Sequence, residues 1–484
     1  MISNVIFCEK SNQLIGITRN TWGMDPRNTK LIYLQAIEPA ILYGVQAWKE
    51  ALNNTHIKKK LLSIQRKSVI RICRAYRTAP TDALLTIANL TPIHLKAKQF
   101  IWNWFILNNN FKQYSEDEIT DLQKLGSLPP DNTKNLTNVI QQNIDYRPKS
   151  TNAMIDPRKK RLFEVNLDFS NTTHSGNQHL IAYTDGSRND QGVGSDIVIK
   201  NKDKIIYQAS LRLANECSIM QAELWAIFKT IYYVNNFPSD THRNLIIYTD
   251  SRAALHTLNN KKTKSALATD LINLTNDTGR HKEIIFNWIP GHRGYEGNEL
   301  ADKLAKKAIK NSNITYSKLP ISFIKNYVIQ ETNILWQREW NESATGRQCY
   351  RFIPSIEKRQ QKKSFKTTFE LTQCLTGHGA FNTYLHRFKK KSYNHCNIDI
   401  NCEDSVDHFL FECTKYHEHR MNFERVCLQE GHNWPPKTQD LFACDKLLKA
   451  MTKFIRDSKA LIPPIIENRD NDQNDDENQD DHNN

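Results

Sequence analysis

Between residues 177 and 311 the chain switches repeatedly between two hydrophobic periods. Apolar-rich runs of strand length fall at 179–185, 192–200, 204–212, 244–250 and 282–289. Stretches at 218–236, 251–260, 265–276 and 297–310 instead carry their apolar residues at helical spacing. Three strands in succession, then alternating helix and strand, predict a mixed α/β fold, a mixed β-sheet flanked by helices. Residues 1–110 read as mainly helical. Thr91-Pro92 is a helix start, a capping residue followed by proline at the first helical position. Ile57, Leu61, Ile64 and Ile72 fall on one face of a further helix. Residues 111–176 lose periodicity, are rich in Asn, Asp, Thr, Ser and Pro, and read as a linker. Residues 312–450 read as a small, α-rich domain with a Cys/His cluster. Residues 451–484 read as an acidic, disordered tail, almost devoid of apolar residues from Glu467 onward.

Charge sharpens this division. The chain carries +14 overall, but residues 467–484 hold eight acids and one arginine, which leaves +21 on the rest. So basic a body favours a polyanionic partner, because lysine and arginine displace the counterions condensed on nucleic acid. Residues 51–81 concentrate the effect, with eight Lys/Arg and no Asp/Glu. A solvated helix face explains that segment equally well. The longest apolar run, near residues 100–107, is far short of the roughly 20 residues of a membrane span. The N-terminus lacks the pattern of a secretory signal. Ten cysteines in 484 residues are too sparse for a disulfide scaffold. An intracellular protein of nucleus or cytoplasm, with reduced thiols and no membrane partner, is expected.

Four carboxylates carry the candidate chemistry. Asp185 ends one apolar strand run and begins Asp-Gly-Ser; Asp250 ends another and begins Asp-Ser. Glu223 and Asp302 lie within amphipathic helical stretches. Any one of them would ordinarily be a surface acid, a turn residue or a helix cap. Brought together they could not all stay ionised without cations, and an oxygen-only cluster suits Mg²⁺ or Mn²⁺.

In this order and setting, Tyr183-Thr-Asp185-Gly-Ser187, Gln221-Ala-Glu223-Leu, Tyr248-Thr-Asp250-Ser251, Trp288-Ile-Pro-Gly-His292-Arg-Gly and Asn298-Glu-Leu-Ala-Asp302-Lys-Leu-Ala resemble type-1 ribonuclease H. The resemblance implies a domain at 177–311 that cuts the RNA strand of an RNA–DNA hybrid by two-metal-ion catalysis. Asp185, Glu223, Asp250 and Asp302 would hold two Mg²⁺ or Mn²⁺ ions. His292, between Gly291 and Gly294, would shuttle a proton or help to expel product. Ser187 and Ser251 are candidate donors to substrate phosphate, although turn chemistry explains both as well.

The flanks carry a second resemblance. Thr21-Trp22-Gly23, the segment from Leu31 to Trp48, and Thr78-Ala-Pro-Thr-Asp82 are similar to the region after the polymerase palm in R1 and Jockey-like non-LTR retrotransposon Pol polyproteins. Leu375-Thr-Gly-His-Gly379, Tyr384-Leu-His-Arg-Phe388 and the set Cys396, Cys402, His408, Cys413 resemble the C-terminal part of the same polyproteins. Three thiolates and an imidazole form a closed tetrahedral Zn²⁺ site in principle. The C-x5-C half is wider than the usual two to four residues, and His395, His417 and His419 are nearby substitutes. The resemblance implies the C-terminal portion of a Pol polyprotein, with a remnant of the thumb or connection region at 1–110. Its partners would be a hybrid and target DNA or element RNA. The only Asp-Asp pairs, 475–476 and 480–481, lie in the acidic tail, so no polymerase activity is expected. A second reading keeps the fold and the nucleic-acid binding but not the turnover.

Overall fold

The structure, a computed structural model, describes residues 23–109, 111, 114–147, 161–168, 179–202, 204–236, 244–260, 262–291, 293 and 295–461. The helices include, in chain order, α1 (Pro26–Ile32), α2 (Thr55–Cys73), α3 (Thr81–Ala88), α4 (Ile93–Asn108), α5 (Ile219–Asn236), α6 (Arg252–Asn259), α7 (Ala266–Thr278), α8 (Glu296–Ala308), α9 (Ile321–Glu342), α10 (Phe369–Thr376), α11 (His417–Gln429) and α12 (Asp445–Asp457). The strands are β1 (Glu164–Asn166), β2 (His179–Asn189), β3 (Gly192–Asn201), β4 (Lys204–Leu213), β5 (Asn244–Thr249), β6 (Ile284–Trp288) and β7 (Ile314–Tyr316). The class is mixed α/β. The chain divides into two compact units, residues 101–331 and residues 1–100 with 332–484.

The 101–331 unit is built on one seven-stranded sheet in the order β1-β6-β5-β2-β3-β4-β7. Strands β2, β3 and β4 form an antiparallel meander, while β1, β6, β5 and β2 run parallel. Leu180 and Ala182 of β2, Ile197 and Ile199 of β3, and Leu245 and Ile247 of β5 are buried against Leu224, Ile227 and Ile231 of α5. Each such side chain contributes about 1.5–3 kcal/mol when fully buried. Every strand and helix expected between 177 and 311 is present, with bounds shifted by a few residues.

Two strands were not expected. β1 pairs Val165 with Phe286 on β6, and β7 pairs Arg212 with Ile314 beside β4. The stretch read as a linker therefore supplies a sheet edge. It also supplies Asp145, buried at 4% exposure. Its carboxylate accepts from Leu267 N (2.7 Å) and from Ser265 Oγ at the start of α7, and from Gln221 Nε2 (3.0 Å) on α5. Its N–H donates to Leu319 O (2.8 Å).

The second unit joins segments before residue 101 to segments after residue 331. Buried Gln65 on α2 donates to Tyr33 Oη and Thr91 O, and accepts from Ile93 N. Thr372 donates to Cys73 O, and Arg359 to Ile87 O. Three motifs of the retrotransposon resemblance meet here. Thr78 Oγ1 lies 2.6 Å from Tyr384 Oη and 3.1 Å from His378 Nδ1, and Arg387 lies 3.1 Å from His378 Nε2. Burial first, then Arg387 and Arg66, push His378 down to about 4, so the ring is neutral. The basic helix expected across 51–81 is interrupted: α2 ends at Arg74, which takes a left-handed conformation, and α3 starts at Thr81. The expected tail 451–484 begins as helix, because Met451, Phe454 and Ile455 of α12 are buried; 462–484 lie outside the described residues.

Candidate functional site

The candidate site lies on the 101–331 unit, around the middle strands of its sheet. Asp185 is carried by β2, Glu223 by α5, and Asp250 follows the last residue of β5. One ligand oxygen from each of the three lies within 4.8 Å of the others. Glycines make the approach possible. A Cβ on Gly186 would sit 2.8 Å from Glu223 N, and one on Gly291 would sit 2.6 Å from Asp250 Oδ2. Trp288 Nε1 donates to the Asp250 carbonyl (3.0 Å) and stacks beneath Arg252, which fixes the end of β5.

The cluster is electrostatically costly as it stands. Burial first, then the charges of Asp250 and Asp302, push the Asp185 carboxyl up to about 7. Burial, with Asp185 and Asp250, raises Glu223 well above the ordinary carboxylate range, while the Gly186 N–H opposes the rise in both. Glu223 Oε2 is buried without a hydrogen-bond partner. A convergent set of carboxylate oxygens, one of them orphaned, is a donor set for a hard divalent cation.

Asp302 belongs to the same field but not to the tight set. From α8 its charge reaches Asp185, while its Oδ2 accepts from Lys306 Nζ (2.7 Å). That hydrogen bond raises Lys306. His292 and Gly294 lie outside the described residues. Ser187 is half-buried in β2, paired with Gly194. Ser251 caps α6 by accepting from Ala254 N (3.3 Å), so its hydroxyl already has structural work.

Sequence reasoning missed Asp196. It is fully buried directly across the β2–β3 ladder from Asp185, and accepts from Ser210 Oγ (3.0 Å). Burial pushes it up to about 8. An acid in an apolar strand run was the available signal.

A second donor cluster lies on the other unit. One atom each from Cys396, His408 and Cys413 lies within 4.8 Å of the others, with the two Sγ atoms 3.9 Å apart. His408 Nδ1 faces Glu412 Oε2 (3.3 Å), and its Nε2 is buried without a partner. A histidine oriented through one nitrogen by a carboxylate, with the other nitrogen free, is set up as a metal ligand. Burial raises the Cys396 thiol, but the Asp399 and Ile398 N–H groups, His408 and Cys413 together bring it below its ordinary value. Cys402 is not drawn into the set; its Sγ donates to Asp399 Oδ2 (3.2 Å).

Residues 177–310 match the RNase H family. Ribonuclease H of Francisella tularensis subsp. novicida is 31% identical over 147 residues, covering 27% of this chain and 90% of that protein. The chain belongs to the ribonuclease H family. Its other relatives include proteins of type-1 retrotransposable elements. The 115 kDa protein of type-1 retrotransposable element R1DM of Drosophila melanogaster is 28% identical over 109 residues, 22% of this chain and 11% of that protein. The Pol polyprotein of element R1 of Bradysia coprophila is 31% identical over 99 residues, 20% of this chain and 10% of the polyprotein. The chain thus matches about a tenth of the length of these two relatives. No helix among the described residues is long and apolar enough to cross a membrane.

Proposed function

We propose that the chain hydrolyses the RNA strand of an RNA–DNA hybrid at Asp185, Glu223 and Asp250, with Asp302 completing the set. The convergence of three carboxylates from β2, α5 and the end of β5 within 4.8 Å carries this reading. Two Mg²⁺ or Mn²⁺ ions bound there would supply Lewis acidity toward the phosphate and a nucleophile at neutral pH. The chain's own residues do the rest. Asp185 and Glu223, held close by Gly186, present the oxygens. Asp302, tethered to Lys306, holds charge beside them. Ser187 is the hydroxyl we assign to substrate phosphate. His292 is the group we assign to proton movement or product release. Discrimination of RNA from DNA would rest on the 2′-hydroxyl of the cleaved strand.

On the other unit, Cys396, His408 and Cys413, with Cys402 turned from Asp399, would hold a structural Zn²⁺. The orphaned Nε2 of His408 supports this.

The test is cleavage of a labelled hybrid by the full chain with and without Mg²⁺, against Asp185→Asn. Loss of several kcal/mol of charge stabilisation predicts a fall of about 10³-fold or more. Metal-dependent cleavage that survives the substitution would sink the assignment. Hybrid binding without turnover in the wild type would favour a decayed, binding-only protein.

A further inference from the structure

The unit formed by 1–100 and 332–484 contains a groove of about 780 Å³ whose lining includes seven Lys/Arg and one acid, Asp25. Part of that charge is structural. Lys30 Nζ donates to Ala88 O (2.7 Å) and Asn89 O (3.2 Å) at the end of α3, and Arg359 donates to Ile87 O. Both cations sit where a helix C-terminus favours positive charge. Lys362 pairs with Asp445, and Arg27 with Asp25.

What is left over points outward. Lys363 and Lys366 are exposed and form no ion pair among the described residues. The segment 362–366 that carries them also walls a second groove of about 530 Å³ on the same unit. That groove continues the pattern with exposed Lys449 and Lys453 on α12, again without an ion pair among the described residues. The floor of the first groove is apolar and open: Leu31 is 51% exposed and Leu34 38%. Phe365 lies between the two grooves, lining both.

We infer that these two grooves form a binding track for single-stranded nucleic acid, separate from the carboxylate cluster. The cations are divided between two grooves that share the wall 362–366, so they suit a repeating anion more than a lone phosphate. An apolar floor under a cationic rim accepts the faces of unpaired bases, which a duplex keeps stacked inside. The track lies on residues outside the 177–310 match and does not rest on hydrolysis.

The experiment measures fluorescence anisotropy of labelled oligo(dT) and oligo(U) of about 20 nucleotides, longer than a typical single-strand site. The full chain is used with no added divalent ion. Lys363→Glu with Lys366→Glu should weaken both by about tenfold or more, and lower the slope of log affinity against log salt by about 1.4, about 0.7 per lost phosphate contact. Lys204→Glu with Lys325→Glu, an equal charge change at exposed positions outside both grooves, should leave affinity within about twofold. Unchanged melting of both variants shows that the fold is kept. Unchanged affinity in the 363/366 variant, or an equal loss in the 204/325 variant, overturns the track, since the second result means diffuse attraction. A loss of equal size for a DNA duplex of the same length overturns the single-strand assignment. A loss for oligo(dT) alone or oligo(U) alone keeps the track and names its ligand.

Discussion

Asp185, Glu223 and Asp250 are brought together by three long elements whose own buried faces hold them there. Cys396 comes from a loop that has little else, whereas His408 and Cys413 flank a helical turn, His408–Glu412, whose Phe409 and Leu410 are buried. Residues 394–404 leave Ile398 60% and Ile400 72% exposed, and their order comes from single contacts such as Cys396 N to Cys402 O and Asn382 N to Asp404 Oδ2. The acids oppose the fold that gathers them, since burial and mutual repulsion push their carboxyls up. The thiols differ between themselves: N–H groups, His408 and Cys413 bring Cys396 down while burial raises Cys413, and a cation held between them would tie down the exposed 394–404 loop. The difference teaches what a metal would do in each place. In the first the scaffold is complete and a bound cation would serve chemistry; in the second it would help to order the 394–404 loop.

The largest effect expected from breaking this contrast is at Cys413. Cys413→Ser should lower zinc affinity by about 100-fold or more, and local order around 394–416 should go with it. Metal content and hydrogen exchange report both. Full protection of that loop in a zinc-free variant would mean that it has a sufficient scaffold of its own.

An intermediate effect is expected at the acids, with the opposite sign. Folding raises Asp185 from 3.8 to about 7, so the protonated carboxyl favours the folded state. Its contribution is complete below 3.8 and is lost as pH rises through about 7. Metal-free protein should therefore lose stability across that window, and Mg²⁺ should restore more of it at the upper end than at the lower. Glu223→Gln should abolish cleavage yet stabilise metal-free protein at neutral pH by about 1 kcal/mol or more, about 2–4 °C in melting temperature per kcal/mol. A destabilised Glu223→Gln variant would show that the acids support their own scaffold after all.

The sheet was legible because its strands are long and its helices amphipathic. β1 and β7 were not, since three residues such as Glu164-Val-Asn166 carry no period and acquire strand geometry only by pairing far along the chain. The three clustered acids could be read from their positions at strand ends and on a helix. Asp145 could not, because nothing in a polar stretch distinguishes an acid that will be buried between two helix starts. Cys402 shows the converse: spacing put it among the ligands, but local geometry turns its thiol to Asp399.

The smallest expected effect concerns Lys306, which occupies one oxygen of Asp302 on an exposed helix face. Surface pairs at this spacing contribute about 0.3–0.5 kcal/mol. Lys306→Met should therefore tighten Mg²⁺ binding about twofold, read by calorimetry. Weaker binding would instead make Lys306 a support that holds Asp302 in place.

β1 and Asp145 have a practical consequence for anyone who treats ribonuclease H as a portable cassette. Excision at the family boundaries, 177–310, would discard both. It would strip the outermost strand from β6, leaving a bare row of backbone donors and acceptors open to self-association. It would also leave the N–H of Leu267 and the amide of Gln221 without the acid that joins them. In this chain the ribonuclease H fold is continuous with the polypeptide that precedes it, and the seam lies upstream of residue 177.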